Sequence, residues 1–287
     1  VQKGRNKIRF VLKKERVHRW EKDEMPELPE VETLVRGLQS LFPTRIERLE
    51  VRDPRLSLPA EEIVDEEIAG IERRGKYIVF QLVSGRSLVV HLRMSGRLVR
   101  SCSKREEGYA RLVLHLDRGA IHFVDPRRLG TVEYCRDGFP HRLGADPLGR
   151  EFTEERLGKI VRASRAPIKV LLLDQKRIAG IGNIYAAEAL FRAGIDPRRP
   201  GATLTDAEVA ALHSAVTTIL RDAIAREGTT LGKGVSDYRT ERGGEGTFAE
   251  ALAVYGREGE PCPRCGTRLE RIKQGGRSTY LCSGCQR

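Results

Sequence analysis

No apolar run in this 287-residue chain approaches the roughly 18 residues needed to cross a bilayer, and its first residues hold no apolar stretch of the length a secretory signal requires. Those two absences exclude a helical membrane protein and an exported one as first expectations. Internal repeats are also lacking. Cysteine is nearly missing from most of the chain, since four of the six lie within the last 26 residues. A secreted disulfide scaffold spreads paired cysteines through a small domain, so this distribution predicts reduced thiols, a cytosolic compartment and one metal site. Hydrophobic residues at 39% and charged residues at 32% predict a folded globular chain, long enough for two domains. What the chain has in excess is positive charge: 52 Lys and Arg against 40 Asp and Glu, a net +12. That excess predicts a polyanionic partner, nucleic acid first; a merely basic enzyme is the other reading that composition leaves open.

Patterning divides the chain. Residues 1–24 carry net +5 and no sustained apolar period. Leu28, Val31, Leu34, Val35, Leu38 and Leu41 then fall at helical spacing on one face. Glu27, Glu30 and Glu32 sit in the first turns, where the helix dipole favours acids, and Pro29 is tolerated there. Period-two alternation over 77–82 and 112–117, with further strands at 86–93, 119–126 and 130–135, predicts an antiparallel sandwich or flattened barrel across residues 45–136. The Gly-, Pro- and Asp-rich stretch 137–152 supplies the linker. Helices follow: one capped by Thr153, one opened by Pro167 and running through Asp174, and one from about Asn183 to Arg192, stopped at Gly194. A capping box of Thr205 and Glu208 starts a long helix through Ile224, closed by Gly228. The glycine-rich residues 228–247 read as a mobile loop too long to be mere connection. The expected fold class is α+β: an N-terminal antiparallel β-sandwich with a leading helix over 25–140, a linker at 141–152, a helical domain over 153–252, and a cysteine module over 253–287.

The strongest chemical signal is that module. Cys262-x-x-Cys265 and Cys282-x-x-Cys285 stand 16 residues apart. Each pair bites a metal from a tight turn, and two pairs complete a tetrahedral thiolate site for one Zn2+. Four thiolates leave no open position, so the expected ion is structural. The intervening Arg268, Arg271, Lys273 and Arg277 make a basic hairpin suited to phosphates, with a solvated charged face as the plainer alternative.

A second signal is Met25-Pro26-Glu27-Leu28-Pro29-Glu30. Methionine before proline is readily removed, which would expose a secondary amine at Pro26. Such an amine attacks an aldehyde-like carbon to give an iminium. The positive end of a helix disfavours its ammonium form, and Glu27 stands beside it for proton transfer.

Here the sequence resembles the bacterial formamidopyrimidine-DNA glycosylases. The resemblance covers residues 25–287 and runs through Met25-Pro26-Glu27-Leu28-Pro29-Glu30-Val31-Glu32-Thr33, Arg73-Arg74-Gly75-Lys76-Tyr77, His91-Leu92-Arg93-Met94-Ser95-Gly96, Asp125-Pro126-Arg127-Arg128, Gly180-Ile181-Gly182-Asn183-Ile184-Tyr185, Val254-Tyr255-Gly256-Arg257 and the four-cysteine finger. It implies a base excision repair enzyme, a bifunctional glycosylase and abasic-site lyase that acts on oxidised purines in duplex DNA, working as a monomer in the bacterial cytoplasm on the nucleoid. Leu28, where the pyrimidine-preferring sister branch typically has Gly, favours the purine branch. The resemblance makes Pro26 the nucleophile at C1′ and Glu27 the general acid. Lys76 would contact phosphate and assist elimination, and Arg277 would grip the phosphate beside the lesion. Asn183 would clamp phosphate within a helix–two-turn–helix at about 167–193, and Lys169 in the same unit is expected to contact DNA. Met94 would wedge into the stack, Arg127 would reach the orphaned partner base, and loop 228–247 would cap the flipped base.

The chain departs from the family in three places. Leu129 stands where Phe is usual, and leucine fills volume but cannot stack. Tyr109 stands where a DNA-contacting His is common. Residues 1–24 precede a complete family N-terminus, and Glu21-Lys22-Asp23-Glu24 is encoded only by purine-rich codons, as a ribosome-binding site would be. The expectation is therefore an active form that starts at Pro26. If Pro26 stays in a peptide bond, the rival reading is a zinc-finger DNA-binding protein without catalysis; the other rival is the pyrimidine-preferring sister enzyme.

Overall fold

The computed structural model describes residues 26–232, 234 and 236–287; the expectations for residues 1–24 fall outside the described residues. Helix α1 (Leu28–Leu38) opens the described chain, with proline in its first turn and the backbone N–H of Glu27 donating to Glu30 Oε2 at 2.8 Å. The strands that follow are β1 (Thr44–Val51), β2 (Glu67–Arg74), β3 (Tyr77–Leu82), β4 (Ser87–His91), β5 (Arg97–Val99), β6 (Ala110–Leu116), β7 (Gly119–Val124) and β8 (Thr131–Cys135), with short helices α2 (Ala60–Ile63) and α3 (Lys104–Glu107) between them. Among the described residues they form one eight-stranded sheet in the order β5-β7-β6-β1-β2-β3-β4-β8, antiparallel throughout. Strand β1 makes the fold. Its first two residues pair with β2, and its remainder pairs with β6 across an irregularity between Ile46 and Arg48. Such a break re-aims a strand, and here it hands β1 from one half of the sheet to the other.

The inner faces of both halves close on Ile46, Ile68, Ile78, Phe80, Val90, Leu114 and Phe123, capped by Val31, Leu34, Val35 and Leu38 of α1. This is the expected antiparallel sandwich with a leading helix.

The second half is helical: α4 (Glu154–Arg162), α5 (Ile168–Leu173), α6 (Asn183–Ala193) and α7 (Asp206–Ala225), followed by the hairpin β9 (Glu270–Gln274) and β10 (Arg277–Leu281). Thr153 accepts from Arg156 N, Thr205 and Glu208 form the reciprocal box, and Gly194 ends α6 with φ 72°. No described helix is long and apolar enough to cross a membrane.

Two features depart from the sequence reading. Helix α1 does not belong to the sandwich alone, because Leu28 is fully buried in the helical core with Leu172, Ile181 and Tyr185. Nor is the connection a free tether. Gly144 N and Ala145 N donate to Gln175 O and Arg177 O at 2.9 and 3.0 Å. Half-buried Arg73 joins Glu32 of α1 and Asp146 of this segment, each at 2.8 Å.

Truncating a fully buried leucine costs about 2–5 kcal/mol. Leu28→Ala is expected to lower stability by that amount, with amide protection lost in α5 and α6 before the sheet. Hydrogen exchange resolved by segment checks this, and loss confined to the sheet would contradict the shared role of α1.

Candidate active site

Glu27 organises the site. Its carboxylate lies at the N-terminus of α6, where Oε2 accepts from Gly182 N at 2.7 Å and Tyr185 N at 3.4 Å, and Oε1 accepts from Ile184 N at 2.9 Å. First-turn amides have no partner within their helix, and the dipole favours an anion there. Only glycine fits at position 182, since a Cβ there would stand 2.3 Å from the carboxyl carbon of Glu27. Leu28 N donates to Gly180 O at 3.0 Å, closing the same junction. Burial raises the pKa of Glu27, while the charge of Lys76 and the three amides oppose the rise. A carboxyl balanced in this way can hold or give up a proton. Pro26, next in the chain, is buried at the same junction.

Glu30 lies behind Glu27. It accepts from the Tyr185 hydroxyl at 2.5 Å and from Thr229 N at 2.8 Å. Burial, reinforced by the charge of Glu27, pushes its pKa up to about 7. Thr229 lies at the start of loop 228–247, next to Gly228. The glycine content of that loop predicts mobility, but over most of its described length it is packed. Tyr238 is buried, Glu241 abuts Gly37 of α1, and Glu241 O accepts from Arg100 N at 2.9 Å.

Lys76 is buried in the β2–β3 turn, near enough to Glu27 for its charge to act there. Asn183 is the first residue of α6 and not its cap, a place taken by Gly182. Its Nδ2 stands 3.5 Å from the Tyr255 hydroxyl, and its buried Oδ1 has no partner among the described residues. Turning the amide lets Tyr255 donate to Oδ1 and frees Nδ2 as a donor, which suits a phosphate clamp. Arg277 is exposed at the start of β10, just past the hairpin turn.

Lys169 requires a correction. It is fully buried, and its Nζ donates to Ser278 O at 2.8 Å and Thr279 Oγ1 at 2.6 Å. A side chain enclosed in this way does not reach DNA; it braces the strand that carries Arg277.

On the sandwich side, Arg127 and Leu129 are exposed, Tyr109 is 43% exposed, and Met94 is half-buried. Exposed apolar side chains beside arginine suit a wedge into stacked bases. His91 escaped the sequence reading as a separate site residue. Its Nδ1 accepts from Arg93 N at 3.0 Å, and Arg93 holds φ 53°, which turns the chain into Met94. Burial, with the charges of Arg93 and Lys76, lowers the His91 pKa to about 3, so the ring is neutral. Glu188, also missed, is buried in α6 and accepts from Ala253, Val254 and Tyr255 N–H at 2.8–2.9 Å. A lone acid within the apolar run of α6 was the available signal.

The four expected cysteines come together, with all sulfurs within 4.8 Å of one another. Cys262 and Cys285 are 3.8 Å apart, and Cys265 and Cys282 are 3.4 Å apart. Zinc–sulfur bonds of about 2.3 Å in a tetrahedron place sulfurs about 3.8 Å apart. The donor set therefore fits one structural zinc. The finger is fastened to the end of α6 and the turn after it: Arg264 donates to Phe191 O and Arg192 O, each at 3.0 Å, and Gln286 donates to Ile195 O at 2.9 Å.

Family models match three stretches: the formamidopyrimidine-DNA glycosylase N-terminal domain over residues 25–132, the H2TH domain of the same glycosylase over 143–234, and a zinc finger found in FPG and IleRS over 259–287. A formamidopyrimidine-DNA glycosylase of Pelotomaculum thermopropionicum is 44% identical over 278 residues, covering 92% of this chain and 99% of that protein. The crystal structure of MutM (Fpg) from Thermus thermophilus superposes with a TM-score of 0.83 at 39% identity, covering 91% of this chain and 98% of that one. A Lactococcus lactis Fpg mutant in complex with Fapy-dG containing DNA gives 0.81 at 33% identity, covering 91% and 100%.

Cys282→Ser is expected to release the zinc and loosen residues 261–287 while the sandwich stays folded. Metal analysis with limited proteolysis reads both, and full zinc retention with an intact finger would defeat the assignment. Burial lifts Glu188 from 4.5 to about 7. Folded Glu188 therefore holds a proton between those values while the unfolded carboxyl has lost it. Its stabilising share is complete below about pH 4.5 and is lost as pH rises through 7. The stability difference between the native protein and Glu188→Gln should fall across that window by about 3 kcal/mol. Urea titrations at several pH values test this; a flat or rising difference would refute it.

Proposed function

The chain belongs to the formamidopyrimidine-DNA glycosylase family, and from that premise we infer that its Glu27–α6 junction is the catalytic centre. The protein is a base excision repair glycosylase and abasic-site lyase for oxidised purines in duplex DNA. The single observation that carries the assignment of the centre is the buried Glu27 carboxyl, held on the first amides of α6 with Pro26 directly before it and Lys76 acting on its charge.

In the proposed cycle, the amine of Pro26, once released from Met25, attacks C1′ of a flipped nucleotide. Glu27 supplies the proton that opens the sugar as the base leaves with the glycosidic electron pair. The resulting iminium makes the C2′ proton acidic. Its removal expels the 3′ phosphate, and a second elimination expels the 5′ phosphate. Lys76 and Arg277 neutralise the phosphates, and Asn183 clamps the backbone at the start of α6. Met94, Arg127 and Leu129 fill the gap left by the lesion, with Tyr109 beside them, and loop 228–247 covers the extruded base. The structural zinc holds the hairpin that presents Arg277. The working form is a monomer acting in the bacterial cytoplasm on nucleoid DNA. The domain limits 25–140, 153–252 and 253–287 stand as the functional division, with α1 shared between the first two.

Sodium borohydride should trap a covalent adduct with a duplex holding 8-oxoguanine, faster than with thymine glycol, and peptide mapping should place it on a chain that begins at Pro26. An adduct at another residue, or activity from protein that still carries residues 1–25, would overturn the Pro26 mechanism. Glu27→Gln should lower base excision about 10²–10⁴-fold. A loss under threefold would remove Glu27 from the acid role.

A further inference from the structure

Two loops expected to face DNA meet on one buried carboxylate, that of Asp125, which is 1% exposed. Its Oδ1 accepts from the Ser95 hydroxyl, next to Met94 in the chain, and from Arg127 N at 3.2 Å. Its Oδ2 accepts from Gly130 N at 2.7 Å, next to Leu129, and from Arg111 Nη1 at 3.2 Å. Its own backbone N–H donates to Tyr109 O at 3.0 Å. Arg111, itself buried, donates also to Gly130 O at 2.8 Å and to Asp53 Oδ2 at 2.7 Å. The loops are pressed together there, since a Cβ on Gly130 would lie 2.6 Å from the Phe123 ring and 3.0 Å from His91 O.

An ionised carboxylate offers about four acceptor sites, and these contacts use all four. Two come from the loop's own amides, one from the counter-ion, and one crosses to the neighbouring turn. The Ser95 hydroxyl is therefore a side-chain strut between the turn of Met94 and the loop of Arg127 and Leu129. Gly130 and Arg111 hold the second loop whether or not Ser95 is bonded.

We propose that Asp125 is a positioning residue that joins, through Ser95, the Met94 turn and the 127–129 loop into one rigid wedge, so that the two insert into damaged duplex as a unit. The inference rests on the function assigned above. It adds that recognition of the partner base and filling of the lesion gap are energetically coupled. Side chains that act through one shared network give non-additive substitutions, whereas independent loops give additive ones.

The test is a double-mutant cycle on Met94→Ala and Leu129→Ala, read as affinity for a duplex holding a tetrahydrofuran abasic analogue, in the native protein and in Ser95→Ala. In the native background the double variant should bind about fivefold or more away from the product of the two single losses. In Ser95→Ala, with a near-native melting temperature, the losses should multiply to within about twofold. Additivity in the native background, or coupling that survives Ser95→Ala, would overturn the proposal. Should Ser95→Ala fail to fold, Ser95→Cys takes its place, since it leaves Asp125 intact and offers only a weak donor; loss of coupling supports the strut and persistence refutes it. Borohydride trapping by the native protein is the separate control. No adduct sinks the enzymatic reading itself, whereas a normal adduct with uncoupled loops sinks only this inference.

Discussion

A carboxylate on the open end of a helix sets the geometry of this molecule. Glu27 fills the N-terminus of α6 with two oxygens and takes three amides. Burying an acid is costly, and the cost is tolerable here because helix amides and the charge of Lys76 replace water. The bond network fixes where α1 begins, and therefore where Pro26 stands. It also forbids any side chain at 182. The start of the first helix and the start of the sixth are thus parts of one structure, although they lie more than 150 residues apart in sequence.

Two kinds of buried acid are used for different ends. Glu30 and Glu188 are met mainly by backbone N–H and hydroxyl donors, and burial leaves each with a pKa near 7. Asp53 is met by Arg55 and Arg111 and is held well below the usual carboxylate range. Neutralisable acids sit along α1 and α6, beside the proposed catalytic centre and the finger. Acid–arginine contacts of Asp53 and Asp125 with Arg111 sit under the loops proposed to face the duplex, where a fixed shape serves insertion.

Local chemistry was legible in the sequence where the signal is local. Thr205 with Glu208, Gly194 after α6 and the four finger cysteines each depend on residues a few positions apart, and the structure has them as expected. Signals that depend on a distant partner were not legible. Lys169 reads as one more basic residue in a basic chain, and only the fold shows that Ser278 and Thr279 enclose it. Glu188 reads as a polar interruption of an apolar helix until the amides of 253–255 are brought to it. The glycines of loop 228–247 suggest freedom, yet Tyr238 and Glu241 anchor it to a helix two hundred residues earlier. The motif resemblance carried the roles expected of Pro26, Lys76 and Arg277, which periodicity and spacing alone left open.

The placement of Leu28 has a consequence for biosynthesis. A chain leaving the ribosome has every strand of the sandwich once β8 emerges, but the partners of Leu28 in α5 and α6 come later, as do the amides that receive Glu27. Until then the front turn of α1 has neither its apolar seat nor its anion site. On the mechanism proposed above, the Pro26 amine reaches its working geometry only when most of the polypeptide has been made, because the seat of Leu28 and the anion site for Glu27 are both supplied by the helical half.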